Sequence, residues 1–184
     1  MLKRAKTAKI AMHEAGHAVI ARRLGVYVSY VTIYSDFGAQ PHAQTRSARH
    51  NAIVSADDID SVVSGCETDA KISLAGPYAQ ARYQKLAIAR SSRGEWRNDI
   101  SNAQGNILCA VLLRAVPGFD PSLAGEYTPT DIQAEQCNII FANISAQVNK
   151  LVQDEWSVIE RTAQALLERS ILTNDDIDEI IQEL

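Results

Sequence analysis

Residues 9–25 read KIAMHEAGHAVIARRLG, and two histidines in that run stand four apart with a glutamate directly after the first. Ile10, His13, His17, Ile20 and Leu24 recur at three- and four-residue steps, so residues 7–24 are expected to form a helix with these side chains on one stripe. Gly25 is the expected C-terminal cap, with Arg22 and Arg23 in the last turn, where cations suit the helix dipole. On a helix, residues four apart lie about 40° apart in projection, one turn above the other. His13 and His17 can therefore aim both imidazoles at one point, as a tetrahedral zinc ion requires at about 2.0–2.1 Å. Glu14 lies about 100° round from His13, too far to compete as a ligand but near enough to hydrogen-bond a water. Zinc lowers the pKa of such a water toward about 7, and a neighbouring carboxylate can take its proton as it attacks a carbonyl. The H-E-x-x-H pattern thus carries a mechanism in its spacing.

The ordinary alternative is a pair of core histidines that happen to share a face. Two features weigh against it. The chain has four histidines in all, so a pair at i and i+4 with Glu beside the first is improbable by chance. Ala15 and Gly16 leave room around the pair, and Ala18 to Ile20 are apolar, as a buried metal-bearing helix requires. A catalytic zinc needs a third protein ligand and keeps its fourth position for water. The extended form H-E-x-x-H-x-x-G-x-x-H is not met, because Ile20 and Arg23 stand at its glycine and last histidine. His42 and His50 fall in what reads as loop, while Asp99, Asp69, Glu67 and Asp131 are the carboxylate candidates. Spacing alone does not choose among them. Asp99 and Asp131, each at the start of an expected helix, could equally answer a helix N-terminus.

Bulk properties narrow the partners. Apolar residues make up 46% and charged residues 22% of 184 residues, which fits one domain with a real core. A net charge of −4 gives no expectation of nucleic acid binding. Lys3, Arg4, Lys6 and Lys9 crowd the start and Asp175, Asp176, Asp178, Glu179 and Glu183 the end. These are expected to be solvated surfaces, with contact between the two ends or with a partner as the minor alternative. The three cysteines, Cys66, Cys109 and Cys137, have no C-x-x-C spacing and are expected to be small buried hydrophobes in a reducing compartment. No signal peptide and no membrane span is expected, and the localisation expected is cytoplasmic.

Helix dominates the rest of the reading, giving a mainly α chain with a small β element. VYVSYVTIY, 26–34, is expected to be a strand, and 35–54 loop with room for a second strand. Ser55 and Asp58 have capping-box spacing at a helix start. A further helical stretch over about 68–89 is expected to break or bend at Gly76-Pro77. Helices follow over 98–114, capped by Asn98, from Thr130 to about Lys150, and over 154–169. A short helix is opened by TNDD. The chain is read as a single domain, 1–184, with the zinc-site residues in 1–115 and a helical C-terminal part in 116–184.

AMHEAGHAVIARRL followed by a Val-Thr-Ile strand resembles the peptidase domain of the FtsH family, the ATP-dependent zinc metalloproteases of bacteria and organelles. The resemblance continues in order. ISLAGPYAQARY is similar to the family's small-residue helix. NDISNA, 98–103, is similar to its Asn-Asp-Leu-x-x-Ala segment, whose aspartate is the third zinc ligand. VIERTAQALLERSILTNDDIDEII, 158–181, is similar to its C-terminal segment. Carried over residue by residue, the resemblance implies His13, His17 and Asp99 as zinc ligands and Glu14 as the catalytic base. It implies an FtsH-peptidase-like fold in which the strand near 28–34 lies close to the cleft, where a peptide could pair with a strand edge. The departures are equally definite. No G-x-x-x-x-G-K-[ST] occurs, so no P-loop ATP hydrolysis is expected of this chain. Gly76-Pro77-Tyr78 replaces the family's usual Gly-Arg-Ala, and YSDFGAQPHAQTR does not follow its usual loop pattern.

The function expected is therefore a stand-alone zinc endopeptidase acting on unfolded or flexible polypeptides. Homo-oligomerisation and an ATPase partner acting in trans are left open. The alternative is a non-proteolytic regulatory or binding protein that keeps the fold. An all-helical interaction domain without metal is the remaining reading.

Overall fold

The computed structural model of the chain describes residues 2–33, 42–46, 58–86, 94 and 96–183; for 2–6 and 42–46 it describes the backbone alone. Among the described residues the protein is mainly helical with a small antiparallel sheet. In chain order the elements are α1 (Leu2–Arg23), β1 (Tyr27–Thr32), β2 (His42–Arg46), α2 (Ile59–Gln84), α3 (Arg97–Ala115), a 3-10 helix (Pro121–Glu126), α4 (Asp131–Asp154), α5 (Trp156–Arg169), β3 (Ile171–Thr173) and α6 (Asn174–Gln182). Contacts divide it into two compact units, Met1–Ser47 with Ala75–Arg90 and Val148–Leu184, and Ala48–Leu74 with Ser91–Gln147.

The first unit is built around α1. The apolar stripe expected there is too narrow. Ala11, Met12, Ala15, Ala18, Val19, Ile20 and Ala21 are all buried, so the middle of the helix is covered on every side, as in the heart of a core. Small residues make this possible, because they let neighbouring backbones approach. α1 packs chiefly on α5, with β1, β2 and α6 also against it. Ile159, Leu166, Leu172 and Ile177 are fully buried, each worth about 1.5–3 kcal/mol. Gly25, at φ +76°, ends the helix as expected. Gly25 N–H bonds the Arg22 carbonyl and Val26 N–H the Ala21 carbonyl, a Schellman closure.

The sheet order is β2-β1-β3, antiparallel throughout. Val28 and Val31 are both fully buried although three residues apart, which strict alternation would forbid. A register shift between Val28 and Tyr30 resolves this, since one extra residue in the strand flips the phase of everything beyond it. The three-residue strand β3 was not expected from the sequence. It follows a reversal at Ser170, a non-glycine residue at φ +71° that caps α5. The Ser170 carbonyl accepts from Thr32 Oγ1 and from Ile33 N–H.

In the second unit Val63, Cys109, Ala110 and Leu113 form a buried cluster, with Ile59, Val62, Cys66, Phe119 and Ala124 packed on it. Cys109 is buried as expected, whereas Cys66 and Cys137 are half-buried. A hydrogen bond from Cys66 holds the Cys109 thiol below its ordinary pKa.

Several boundaries differ from the expectation. α2 runs unbroken through Pro77. Proline forfeits one backbone bond, but Gly76 has no Cβ to meet the proline ring, which relieves the usual constraint on the preceding residue. Trp96, not Asn98, occupies the N-cap of α3, with no side-chain cap bond. Thr130 caps α4 as expected, its hydroxyl accepting from Gln133 N–H while Gln133 Oε1 accepts from Thr130 N–H. Thr173 likewise caps α6 in a box closed by Asp176. The proposed Ser55 cap and most of the 35–54 loop lie outside the described residues.

The terminal charges are not all solvated. Asp178 pairs with Arg22 at 2.8 Å, Asp176 with Arg169 at 2.7 Å and Glu183 with Arg161 at 2.7 Å. The C-terminal acids thus meet arginines of α1 and α5.

Candidate metal centre

α1 places His13 and His17 one turn apart, and their Nε2 atoms lie 3.1 Å from each other. The rings meet edge to face, centroids 4.7 Å apart. Two nitrogen lone pairs do not face each other at that distance without a proton or a cation between them. Two imidazoles on one tetrahedral zinc would hold their nitrogens roughly 3.4 Å apart, so this pair is close to the spacing such an ion demands.

The ligand-capable atoms of His13, His17 and Asp99 lie within 4.8 Å of one another, a group able to hold a metal ion. His17 is 9% exposed and Glu14 5%; His13 and Asp99 are half-buried. A carboxylate beside two imidazoles is a donor set suited to zinc and to other first-row divalent metals.

Gly76, on α2, adds a second fitting observation. A Cβ built there would stand 2.6 Å from His17 Cδ2 and 2.7 Å from Cε1, and closer still to Nε2. Sequence reasoning treated Gly76 as a bend in the helix and missed this. The only signal was a glycine inside a helix of otherwise ordinary length, which does not say what fills the space.

The other ligand candidates go elsewhere. Glu67 pairs with Arg114 at 3.5 Å, and Asp131 is exposed in the first turn of α4. Asp69 is half-buried on α2 and outside the group. His42 begins β2, its side chain not described, and His50 lies outside the described residues. The indole Nε1 of Trp96, three residues before Asp99, is buried without a hydrogen-bond partner among the described residues. A surface depression lined by Val111, Arg114, Gln136 and Ile139 contains none of the metal-centre residues.

β1 is the middle strand of the sheet, so it offers no free edge over Tyr30–Thr32, where β2 and β3 flank it.

No protein-family model matches this chain, and no curated protein matches it. Among the described residues no helix is long and apolar enough to cross a membrane.

Proposed function

We propose that this chain is a zinc-dependent endopeptidase of the kind its sequence resembles, the peptidase domain of the FtsH family, acting on unfolded or flexible polypeptides. The observation that carries the reading is the facing pair of Nε2 atoms on His13 and His17, with Asp99 within ligand range. His13, His17 and Asp99 would hold the ion. Zinc in such a site supplies a Lewis acid that polarises a carbonyl and acidifies a water.

We assign the proton transfer to Glu14. It follows His13 on the same buried helix. It takes the proton from the attacking water and delivers it to the departing amine, so one carboxylate serves as base and then as acid. The burial of Glu14 and His17 limits competing water, which strengthens every charge interaction there. With β1 flanked on both sides, a bound peptide would extend the sheet along the outer edge of β2. Main-chain pairing of that kind carries little sequence preference, as suits an enzyme for unfolded chains. An ATPase partner acting in trans would widen the substrates to folded proteins, and a homo-oligomer would confine them.

The test compares degradation of an unfolded model protein by the zinc-loaded chain and by Glu14→Gln at equal zinc content. Cleavage by the parent should exceed that by the variant by about 10²-fold or more. A parent that binds zinc yet cleaves nothing would replace this reading with the non-proteolytic binding protein.

A further inference from the structure

We propose that Gly76 is the positioning residue of the metal centre: its missing side chain is the space that keeps His17 Nε2 open to a metal ion. For its metal half the inference rests on the centre described above; its steric half rests on the two residues alone.

A Cβ at Gly76 would overlap the outer edge of the His17 imidazole, meeting Nε2, Cδ2 and Cε1. That edge carries the nitrogen turned toward His13. The ring has little open space to retreat into, because His17 is itself only 9% exposed. An alanine would therefore have to rotate His17 out of the shared focus or push α2 back.

Other glycines show that this is particular. Gly16 also sits at a close approach, but its added Cβ would meet Ala79 Cβ at 2.6 Å and the Ala75 carbonyl oxygen at 2.8 Å, packing atoms and no ligand. Gly105, inside α3, has nothing within 4 Å. Helix interiors ordinarily favour alanine over glycine. Gly76 thus stands, against the local helix preference, where the His17 nitrogen turned toward His13 occupies its space.

One competing cause must be separated. Gly76 precedes Pro77, and a Cβ there would also crowd the proline ring whatever happens at His17. A double-mutant cycle on the metal-free protein removes that common cost. Urea unfolding of the parent, Gly76→Ala, His17→Ala and the double variant should show the loss caused by alanine at 76 shrinking once the imidazole is gone. In parallel, zinc affinity is read by competition with a chromophoric chelator for the parent, Gly76→Ala and Gly105→Ala, each corrected for folded fraction by circular dichroism. Gly76→Ala should lose at least about tenfold in affinity, the factor expected when a supporting residue is disturbed, while Gly105→Ala matches the parent.

Zinc affinity of Gly76→Ala within twofold of the parent overturns the proposal. So does an equal cost of alanine in both backgrounds. If Gly76→Ala fails to fold, recovery of the fold in the double variant supports the steric half and non-recovery refutes it. A parent without zinc affinity overturns the metal half together with the metal-centre reading, and is recognised from the parent alone.

Discussion

Arg22 grips Asp178 with two parallel hydrogen bonds, Nε to Oδ1 and Nη2 to Oδ2, both 2.8 Å. The pair ties the last turn of α1 to α6, 156 residues later. Arg22 Nη1 also donates to the Val26 carbonyl at 3.0 Å. Asn174 extends the network, donating to Asp178 Oδ2 at 3.0 Å and accepting from Val28 N–H at 3.3 Å. The bond to Asp178 raises the guanidinium pKa further above its ordinary value. A lysine at position 22 cannot reproduce the fork. Arg22→Lys and Asp178→Asn should each cost about 1–2 kcal/mol in urea unfolding, above an ordinary surface pair because the geometry is bidentate and partly buried. Their losses should not add, since both remove one interaction.

Acid should loosen the C-terminal end through Asp176. The Thr173 backbone N–H and hydroxyl, and then Arg169, hold its carboxyl below the usual value. A depressed carboxylate contributes stability above its unfolded pKa of about 3.9 and loses it as pH falls through the lower folded value. Asp176→Asn should therefore be less stable than the parent at pH 7, with the difference closing as pH falls from the unfolded value through the depressed folded one. Unfolding followed by circular dichroism across that range checks the sign.

Ser170 holds a left-handed conformation at φ +71° without being glycine. An L side chain there costs roughly 1–2 kcal/mol, partly offset by the greater freedom glycine has when unfolded. Ser170→Gly should raise stability by about 0.5–1 kcal/mol, seen as a higher urea midpoint with unchanged slope. A lower midpoint would mean that the serine hydroxyl makes a contribution of its own.

Asp99→Ala should leave a folded protein with much weaker zinc binding. Isothermal titration of the metal-free variant would give an affinity at least about tenfold below the parent. Metal content unchanged from the parent would remove Asp99 from the ligand set.

Chelation offers a separate check on metal binding. Zinc binds the native state and so stabilises it by mass action. Thermal melts of the metal-free chain with added zinc and with chelator should therefore separate, zinc giving the higher midpoint; coincident melts would mean that the native state holds no zinc.

Much of this was legible in the chain because it depends on local spacing. The facing of His13 and His17 follows from helical pitch once residues 7–24 are helical. The caps at Gly25, Thr130 and Thr173 follow from residue types at fixed offsets. What stayed hidden depends on contacts distant in sequence. β3 is three residues long and exists as a strand because it pairs with β1. The bulge beside Ser29 answers the demand that Val28 and Val31 share a face. α2 continues past Pro77 although the local signal is a break. Asp99 was named through a resemblance, since spacing alone left Asp69, Glu67, Asp131, His42 and His50 equally open.

By itself, then, the sequence determined that this protein is mainly helical and that two histidines converge on one point beside a glutamate, because a helix converts spacing into direction. Only the tertiary structure decided that Arg22 meets Asp178 and that Gly76 gives up its side-chain space to His17. Those relations join residues tens to more than a hundred positions apart, and no periodicity along a chain encodes which distant surfaces will be pressed together.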